Sequence, residues 1–356
     1  MSPAIEADAV VAAPSAEPPR SPGQRAGARF RRNRLGTASL VVFIAMLLTS
    51  GLAELLSNDK PLLASYQGRL SFPLFHNPPE VQFGGDFHTP TDWRDPFIEA
   101  QFSQPGNWRL HPLNRHSATS TDYFSKPPNP TPPSAQNWLG TDPVGRDMVA
   151  RLLYGFRVSI LFALALTAIG VLLGLLAGAV QGYFAGRVDL AMQRLIEIWT
   201  SVPELYLLII FASIFQPSVL LLLILLSLFG WVSLADYTRA EFLRNRGLEF
   251  VKAARALGLS NAQIIWRHVL PNSLTPAITF LPFRMGAAIM SLVALDFLGL
   301  GVPPSVPSLG ELVKQGKANL DAWWIIFPTF AVLVATMLLL TFIGDALRDA
   351  FDTRKS

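Results

Sequence analysis

The side chains that could carry chemistry are few, and their spacing does not assemble a catalytic site. His111, His116 and Asp122 could be drawn as a metal cluster, but their spacing fits no helical face and indicates a solvated loop instead. Acidic residues between positions 86 and 99 could serve as a general acid and base, yet nothing fixes their geometry. The lack of Cys excludes thiolate catalysis. The sequence therefore predicts no metal site and no enzyme.

The sequence also offers no nucleotide-binding motif. A P-loop requires G-x-x-x-x-G-K-[ST], whereas Gly316 and Lys317 are followed by Ala318, and Gly310 lies one residue too far away. The Arg-rich run 29–34 could suggest nucleic acid. Beside an apolar stretch, it is better interpreted as an orientation signal that contacts anionic membrane lipids. We expect no cofactor and no nucleic acid on this chain.

Ionisable residues are rare inside the apolar stretches, and three of them, Glu204, Arg284 and Asp296, are singled out by their positions. On insertion scales, each would cost about 2.5–3.5 kcal/mol at the centre of a membrane helix. Such groups should therefore face the interior of a helix bundle or water. They are candidates for a translocation path, and an internal ion pair or a charge near the membrane interface is the open alternative.

These residues are set in an apolar chain. Charged residues make up 15% and hydrophobic residues 51% of its 356 residues, whereas a soluble domain carries about 25% charged residues. A spanning helix needs about 20 apolar residues, and six stretches qualify: Thr37–Leu56, Val158–Val180, Leu195–Phe215, Ser218–Leu234, Thr275–Leu298 and Trp323–Ile343. The sequence predicts an all-α membrane protein with six transmembrane helices.

The other segments divide the chain further. We expect an N-terminal tail (1–36), a first transmembrane helix (37–57), a large external segment (58–157), a core transmembrane domain (158–344) that contains the loop 249–272, and a C-terminus (345–356). In the external segment, aromatic residues could bury a small core, and Thr141 is the predicted N-cap of a membrane-proximal helix with Pro143 in its first turn.

The distribution of Lys and Arg predicts the orientation. The tail carries six Arg, and with six spans it lies on the same side as the basic loop 249–272 and the C-terminus. Short loops of the opposite side offer only Lys314 and Lys317. Positive loops stay in the cytoplasm, so both termini are predicted to be cytoplasmic.

Glycine recurs at steps of four in the second apolar stretch. The series is Gly170, Gly174, Gly178, Gly182 and Gly186. A ridge of small residues lets another helix backbone approach closely, so we predict a role in helix packing.

The loop 249–272 reads as two short helices. Phe250, Ala253, Ala254 and Leu257 share one helical face, and Gly258 supplies a left-handed stop. The pair S-x-x-Q that begins at residue 260 is a capping box for a second helix, which Pro271 should end or mark as the next turn. A basic helix lying in the lipid headgroups is the alternative.

This loop resembles the EAA loop of ABC importer permeases, whose short helix docks on a cytoplasmic ATPase. Ala253, Ala254, Gly258, Leu270 and Pro271 match that pattern in register. The sequence departs from the pattern at two positions, with Lys252 in place of Glu and His268 in place of Ile, and Glu249 stands one helical turn earlier. The resemblance implies that Glu249, Lys252, Ala253, Ala254, Gly258 and Pro271 couple the chain to the ATPase.

Other stretches resemble the C-type dipeptide and oligopeptide permeases. They are NWLGTDPVGRDMVARLLYGFRVS (137–159), FLGLGVPPSVPSLG (297–310) and GDALRDAFD (344–352), and the resemblance covers about residues 29–354. The external motifs FGGDF (83–87) and HPLNRHSATSTDYF (111–124) resemble the branch that also admits the peptide-nucleotide antibiotic microcin C.

The resemblance implies a type I ABC importer permease in the bacterial inner membrane. Its expected partners are a homologous permease, two cytoplasmic ATP-binding domains that hold ATP and Mg, and a periplasmic peptide-binding protein. A secondary transporter would show paired inverted repeats with broken helices instead. An intramembrane enzyme would need convergent catalytic residues, and the apolar stretches contain Asp296 and no His.

Overall fold

The computed structural model describes residues 22–122 and 128–352, and helices dominate it. The helices are α1 (Pro22–Arg32), α2 (Arg34–Gly51), α3 (Ala53–Leu56), α4 (Pro96–Phe102), α5 (Met148–Phe184), α6 (Gly186–Thr200), α7 (Glu204–Ile214), α8 (Val219–Ser227), α9 (Val232–Asn245), α10 (Glu249–Ala256), α11 (Asn261–Ile264), α12 (Leu270–Leu298), α13 (Leu309–Ala318) and α14 (Trp323–Phe351). The strands are β1 (Leu63–Tyr66), β2 (Arg69–Ser71) and β3 (Trp108–Leu110). The all-α prediction is confirmed for the bundle, and the strands are confined to the segment between α3 and α5.

Within the described residues, five helical segments are long and apolar enough to cross a membrane. They are α2, α5, α14, Val219–Asn245 (α8 with α9) and Asn261–Leu298 (α11 with α12). A sixth crossing exists if α6 and α7, which are bent by 58° at their junction, form one span. Pro203 precedes α7 and has no N–H for the helical ladder, so the predicted third span is broken there.

The helices overrun several predicted boundaries. α2 begins at Arg34 rather than Thr37, α5 begins at Met148 rather than Val158, and α14 continues to Phe351. The predicted limits at 36, 57, 157 and 344 are therefore displaced. Apolar content marks the part of a helix that faces lipid, whereas caps and turns decide where the helix ends.

The predicted membrane-proximal helix with Thr141 as its cap is wrong. Asp147 is the N-cap of α5, and its carboxylate accepts the N–H of Ala150 at 2.8 Å. Thr141 is buried in the loop before it. There the Asp142 carboxylate accepts both the N–H and the guanidinium Nε–H of Arg146, at 2.9 and 2.7 Å. This closed loop uses the polar groups that a helix start would need.

The segment between α3 and α5, which we call the insert (residues 57–147), packs around a small aromatic core. β1 pairs antiparallel with both β2 and β3. The rings of Phe83, Trp93 and Phe102 lie with centroids 5.2 to 5.4 Å apart. The Asn114 amide donates to Asp147 at 2.7 Å. The core expected from the aromatic residues is present, and the Asn114 bond ties the insert to the start of α5.

The glycine ridge of α5 packs directly on α9. A Cβ on Gly174 would lie 2.9 Å from the carbonyl oxygen of Trp231, and a Cβ on Gly178 would lie 2.6 Å from the Cβ of Thr238. A Cβ on Gly182 would likewise clash with the carbonyl oxygen of Arg239. These separations leave no room for a side chain, so α5 and α9 form a seam in which the two backbones touch.

Candidate functional site

The first candidate site is the coupling segment (residues 249–272), which comprises α10, α11 and the start of α12. Val251 and Ala254 are buried against Ile264 and Val269. The sequence placed Ala254 on one face with Phe250 and Leu257, and Ala254 is the buried edge of that face, whereas Phe250 and Leu257 are exposed. Residues 251 and 254 form the hydrophobic face that holds α10 to the bundle.

The face of α10 that adjoins the buried one is apolar and exposed. Phe250 is 40% exposed and Leu257 is 79% exposed, and Ala253 lies between them on the exposed surface. Trp266, which is 59% exposed, adds a fourth apolar side chain on the coupling segment. Nothing in the described part of the chain covers these groups.

The polar residues predicted for coupling sit beside this face. The Lys252 ammonium lies 2.8 Å from the Glu249 carboxylate, and both side chains are largely exposed. An exposed pair of this kind contributes little to stability. Both charges are therefore free to be exchanged for contacts with another protein.

The turn between the two short helices has the predicted geometry. Gly258 adopts φ of +79°, where a left-handed residue ends α10. The Ser260 hydroxyl accepts the N–H of Gln263 at 3.3 Å, and the Gln263 side chain accepts the N–H of Ser260 at 3.0 Å. The capping box holds α11 at a fixed angle to α10.

The prediction that Pro271 ends the second helix is wrong. α11 continues through a π turn at Ile265–Val269 into α12, so Asn261–Leu298 is one helix. A π turn bonds i to i+5 and inserts one residue into the ladder. Pro271 stands immediately after this turn, as the second residue of α12, so the hydrogen-bond ladder is already interrupted next to the residue that lacks an N–H.

Sequence reasoning missed the joint that connects the coupling segment to the bundle. The Tyr183 hydroxyl, at the end of α5, donates to the side-chain oxygen of Asn261 at 2.8 Å. Arg255 donates to the same hydroxyl at 3.4 Å, and Arg246 donates to the carbonyl oxygen of Tyr183 at 3.0 Å. The only hint in the sequence is Tyr183 itself, a polar aromatic residue that follows Gly182.

The second candidate site is a cavity of ≈ 380 Å³ between α5, α7, α9 and α12. Glu204 and Arg284 both line it, together with Thr167, Ser233 and Ser291. The remaining walls are apolar, with Leu166, Phe229 and Phe283 among them. The structure thus brings together two of the three charged residues predicted for a translocation path.

Arg284 satisfies backbone hydrogen-bonding groups at a break in a membrane helix. The helix is interrupted between α8 and α9, which leaves carbonyl groups without helical partners. The Arg284 guanidinium donates to the Gly230 carbonyl oxygen and, at 2.9 Å, to the Ser233 hydroxyl. Irregular backbone at membrane depth is tolerated only where protein or a water-filled cavity satisfies it, and here Arg284 does so.

The expectation that Asp296 lines the path with these residues is wrong. Its side chain is 2% exposed and lies outside the cavity. The carboxylate accepts the N–H of Val302 at 2.8 Å and the hydroxyl of Ser308. A Cβ on Gly310 would lie 2.5 Å from the Cβ of Asp296. Asp296 organises the loop that joins α12 to α13.

His111 and His116 of the insert line a separate polar cleft of ≈ 610 Å³. Burial, aided by Arg109 and Arg115, lowers the pKa of His111 to about 4, so this imidazole is neutral at pH 7. Burial also lowers the pKa of His116, whose Nδ1 lies 3.0 Å from the side-chain oxygen of Asn114. Across residues 22–122 and 128–352, no three His, Asp or Glu side chains form a group that could hold a metal.

Two family models cover most of the chain. The model described as binding-protein-dependent transport system inner membrane component matches residues 138–356, which hold both candidate sites. The chain belongs to this permease family. A second model, the N-terminal transmembrane domain of oligopeptide transport permease C, matches residues 21–79. The resemblance to C-type dipeptide and oligopeptide permeases is therefore confirmed.

Relatives of the permease span nearly its whole length. It is 48% identical to the inner membrane ABC transporter permease protein YejE of Escherichia coli, over 92% of this chain and 96% of the relative. It is 44% identical to the peptidoglycan transport system permease protein YejE of Agrobacterium fabrum, over 92% of each chain. It is 31% identical to the dipeptide transport system permease protein DppC of Lactococcus lactis, over 96% and 93%. With its apolar spans, this permease is a multi-pass inner-membrane protein.

Proposed function

We propose that the permease imports peptides and is driven by ATPase subunits that dock on the coupling segment. The observation that carries this proposal is the exposed apolar face of Phe250, Ala253 and Leu257 in a member of an importer family. Contiguous apolar surface is a mark of an interaction site. A docked ATPase would cover this face. The buried face of α10 would then pass the motion of the ATPase to the helix bundle.

The proposed cargo is a short peptide. Support comes from the relatives, whose names refer to dipeptide and peptidoglycan transport. Peptide-nucleotides such as microcin C belong to the same chemical class, because a peptide forms their recognised part. A homologous permease would complete the path, and a periplasmic binding protein would deliver the peptide at the end that carries the insert.

The proposed orientation places α1, α10 and both termini in the cytoplasm. It is supported by the Arg residues at this end, which include Arg29, Arg31 and Arg32 in the last turn of α1. Cytoplasmic segments carry an excess of Lys and Arg, and anionic lipid headgroups attract them. ATP and Mg would then bind on partner subunits on the same side as the coupling segment.

The test is co-purification of the permease with its partners, followed by peptide-stimulated ATP hydrolysis. A Leu257→Ser variant should lose most of the co-purified ATPase, because the largest exposed apolar group of the face is removed. Leu320→Ser is the matched control, since Leu320 is 78% exposed and lies between α13 and α14 at the opposite end. Equal ATPase recovery with both variants would contradict the proposed docking face.

A further inference from the structure

The cavity between α5, α7, α9 and α12 contains polar groups that have no partner within the protein. Glu204 lines it and makes no hydrogen bond or ion pair with any residue in the described ranges. The Nε of Arg284 is buried and has no hydrogen-bond partner there. The hydroxyl of Thr167, a residue that is 5% exposed, is likewise unpaired. Buried polar groups without a partner are costly, so the Nε of Arg284 and the Thr167 hydroxyl, with the Glu204 carboxylate in the same cavity, point to a polar ligand.

The cavity lies where two spans are interrupted. Glu204 is the first residue of α7, directly after the bend that separates α6 from α7. Gly230 lies in the break between α8 and α9, and Arg284 reaches it from the middle of α12. Interrupted helices whose freed backbone groups surround a cavity are the usual way for membrane proteins to build polar sites.

The charges of the cavity have opposite signs and do not pair with each other. Arg284 is held by Gly230 and Ser233, whereas Glu204 stands at the N-terminus of α7, where the helix dipole favours a carboxylate. The two groups therefore stay apart, with apolar walls between them. A ligand that matches this arrangement carries an ammonium group and a carboxylate on a partly apolar body.

A peptide with free ends has this chemistry. We propose that Glu204 binds the α-ammonium group and Arg284 binds the C-terminal carboxylate of a peptide in transit, while Thr167 bonds to the peptide backbone. This inference rests on the proposed function, since it assigns the ends of the same cargo. The volume of ≈ 380 Å³ is small, so this chain would hold the two ends of the peptide and leave its side chains to the partner permease.

The experiment uses the complete importer, co-purified and reconstituted in lipid vesicles. The probes are trialanine, N-acetyl-trialanine and trialanine amide, each loaded on the binding protein at saturating concentration so that capture is equal for all variants. Uptake into the vesicle lumen is measured by mass spectrometry. The readout is the ratio between probes, because a purely structural defect lowers all three together.

Glu204→Gln should reduce the preference for trialanine over its N-acetyl form about tenfold, as expected when a charge-assisted hydrogen bond is lost, and should leave the acid-to-amide ratio unchanged. Arg284→Gln should do the reverse. Because Arg284 also supports Gly230, Arg284→Lys provides a second variant that keeps the positive charge and should retain part of the preference for the acid.

Matched controls lie on α6, one side of the bend. Glu197→Gln and Arg194→Gln remove an exposed ion pair that joins these two residues at 2.5 Å, and both should keep the wild-type ratios. If Glu204→Gln and Arg284→Gln change the uptake of all probes equally, or change none, the inference is overturned while the proposed function stands. If the wild-type importer takes up none of the three probes, both are overturned.

Discussion

Glycine meets opposite needs in two regions of this permease. In the α5–α9 seam, Gly178 has ordinary helical φ and no space, because a Cβ would lie 2.6 Å from Thr238 and 2.9 Å from the N–H nitrogen of Arg239. In the coupling segment, Gly258 has open space around it, with nothing within 4 Å, but adopts φ of +79°. Gly178 is needed because there is no room for a side chain, whereas Gly258 is needed because its backbone is left-handed.

The difference indicates how stiffness is distributed. The seam excludes lipid and side chains, so α5 and α9 can move only as one body. The coupling segment is anchored by one hydrophobic face and by the Tyr183 joint, and its outer face is exposed within the described residues. A rigid helix pair next to an anchored helix with an exposed face suits a protein in which a force applied at one end must reach the middle.

The largest effect is expected at the seam. Gly178→Val forces the two backbones apart, and overpacking of this kind costs about 1–3 kcal/mol. The solubilised protein should show a clear drop in melting temperature by fluorescence-detected size-exclusion chromatography. Gly51→Val is the control, because nothing lies within 4 Å of that glycine at the end of α2. Equal melting temperatures for the two variants would contradict the close seam.

The next effect is expected at Gly258. Valine in a left-handed conformation costs about 1–2 kcal/mol, so Gly258→Val should shift the turn between α10 and α11 and reduce peptide-stimulated ATP hydrolysis about tenfold. The melting temperature should stay near that of the wild type, since no core is disturbed. Gly258→Asn tests the cause, because Asn tolerates this conformation. If Asn impairs hydrolysis as severely as Val does, backbone strain is not the reason.

The smallest effect is expected at the capping box. Ser260→Ala removes the hydroxyl that accepts the N–H of Gln263, and loss of such a cap costs about 1 kcal/mol. Peptide-stimulated ATP hydrolysis should fall about fivefold at most, whereas Ser260→Thr should preserve it. A larger loss in Ser260→Ala than in Gly258→Val would reverse the proposed order of importance within the coupling segment.

The features that could be predicted from the sequence depend on short-range rules. The spacing of the α5 glycines, the left-handed stop at Gly258 and the capping box at Ser260 each involve residues a few positions apart. Local geometry decides these features before any tertiary contact forms. For this reason the stop and the capping box appear at the predicted residues. Four of the five glycines pack as predicted, whereas Gly186 begins α6 with φ of +54° and has nothing within 4 Å, so its predicted packing role is wrong.

The failures share a different cause, because each depends on which of several nearby polar groups becomes the partner. Asp296 looked like a buried charge on a path, but it is satisfied by Val302 and Ser308 in the following loop. Thr141 looked like a helix cap, but Asp147 caps α5 and Asp142 closes the loop with Arg146. Apolar periodicity and cap preference cannot reveal which of several candidate partners a polar group meets.

The π turn at Ile265–Val269 has a mechanical consequence. It lies in the 38-residue helix Asn261–Leu298, which contains both Arg284 and α11, and α10 with the proposed ATPase contact packs against α11. A π turn contains one extra residue. Conversion of the turn to α-helical geometry would rotate the part of the helix before it relative to the part after it by about 100°. A push on α11 could in this way become a twist at Arg284, about 30 Å away along the helix axis.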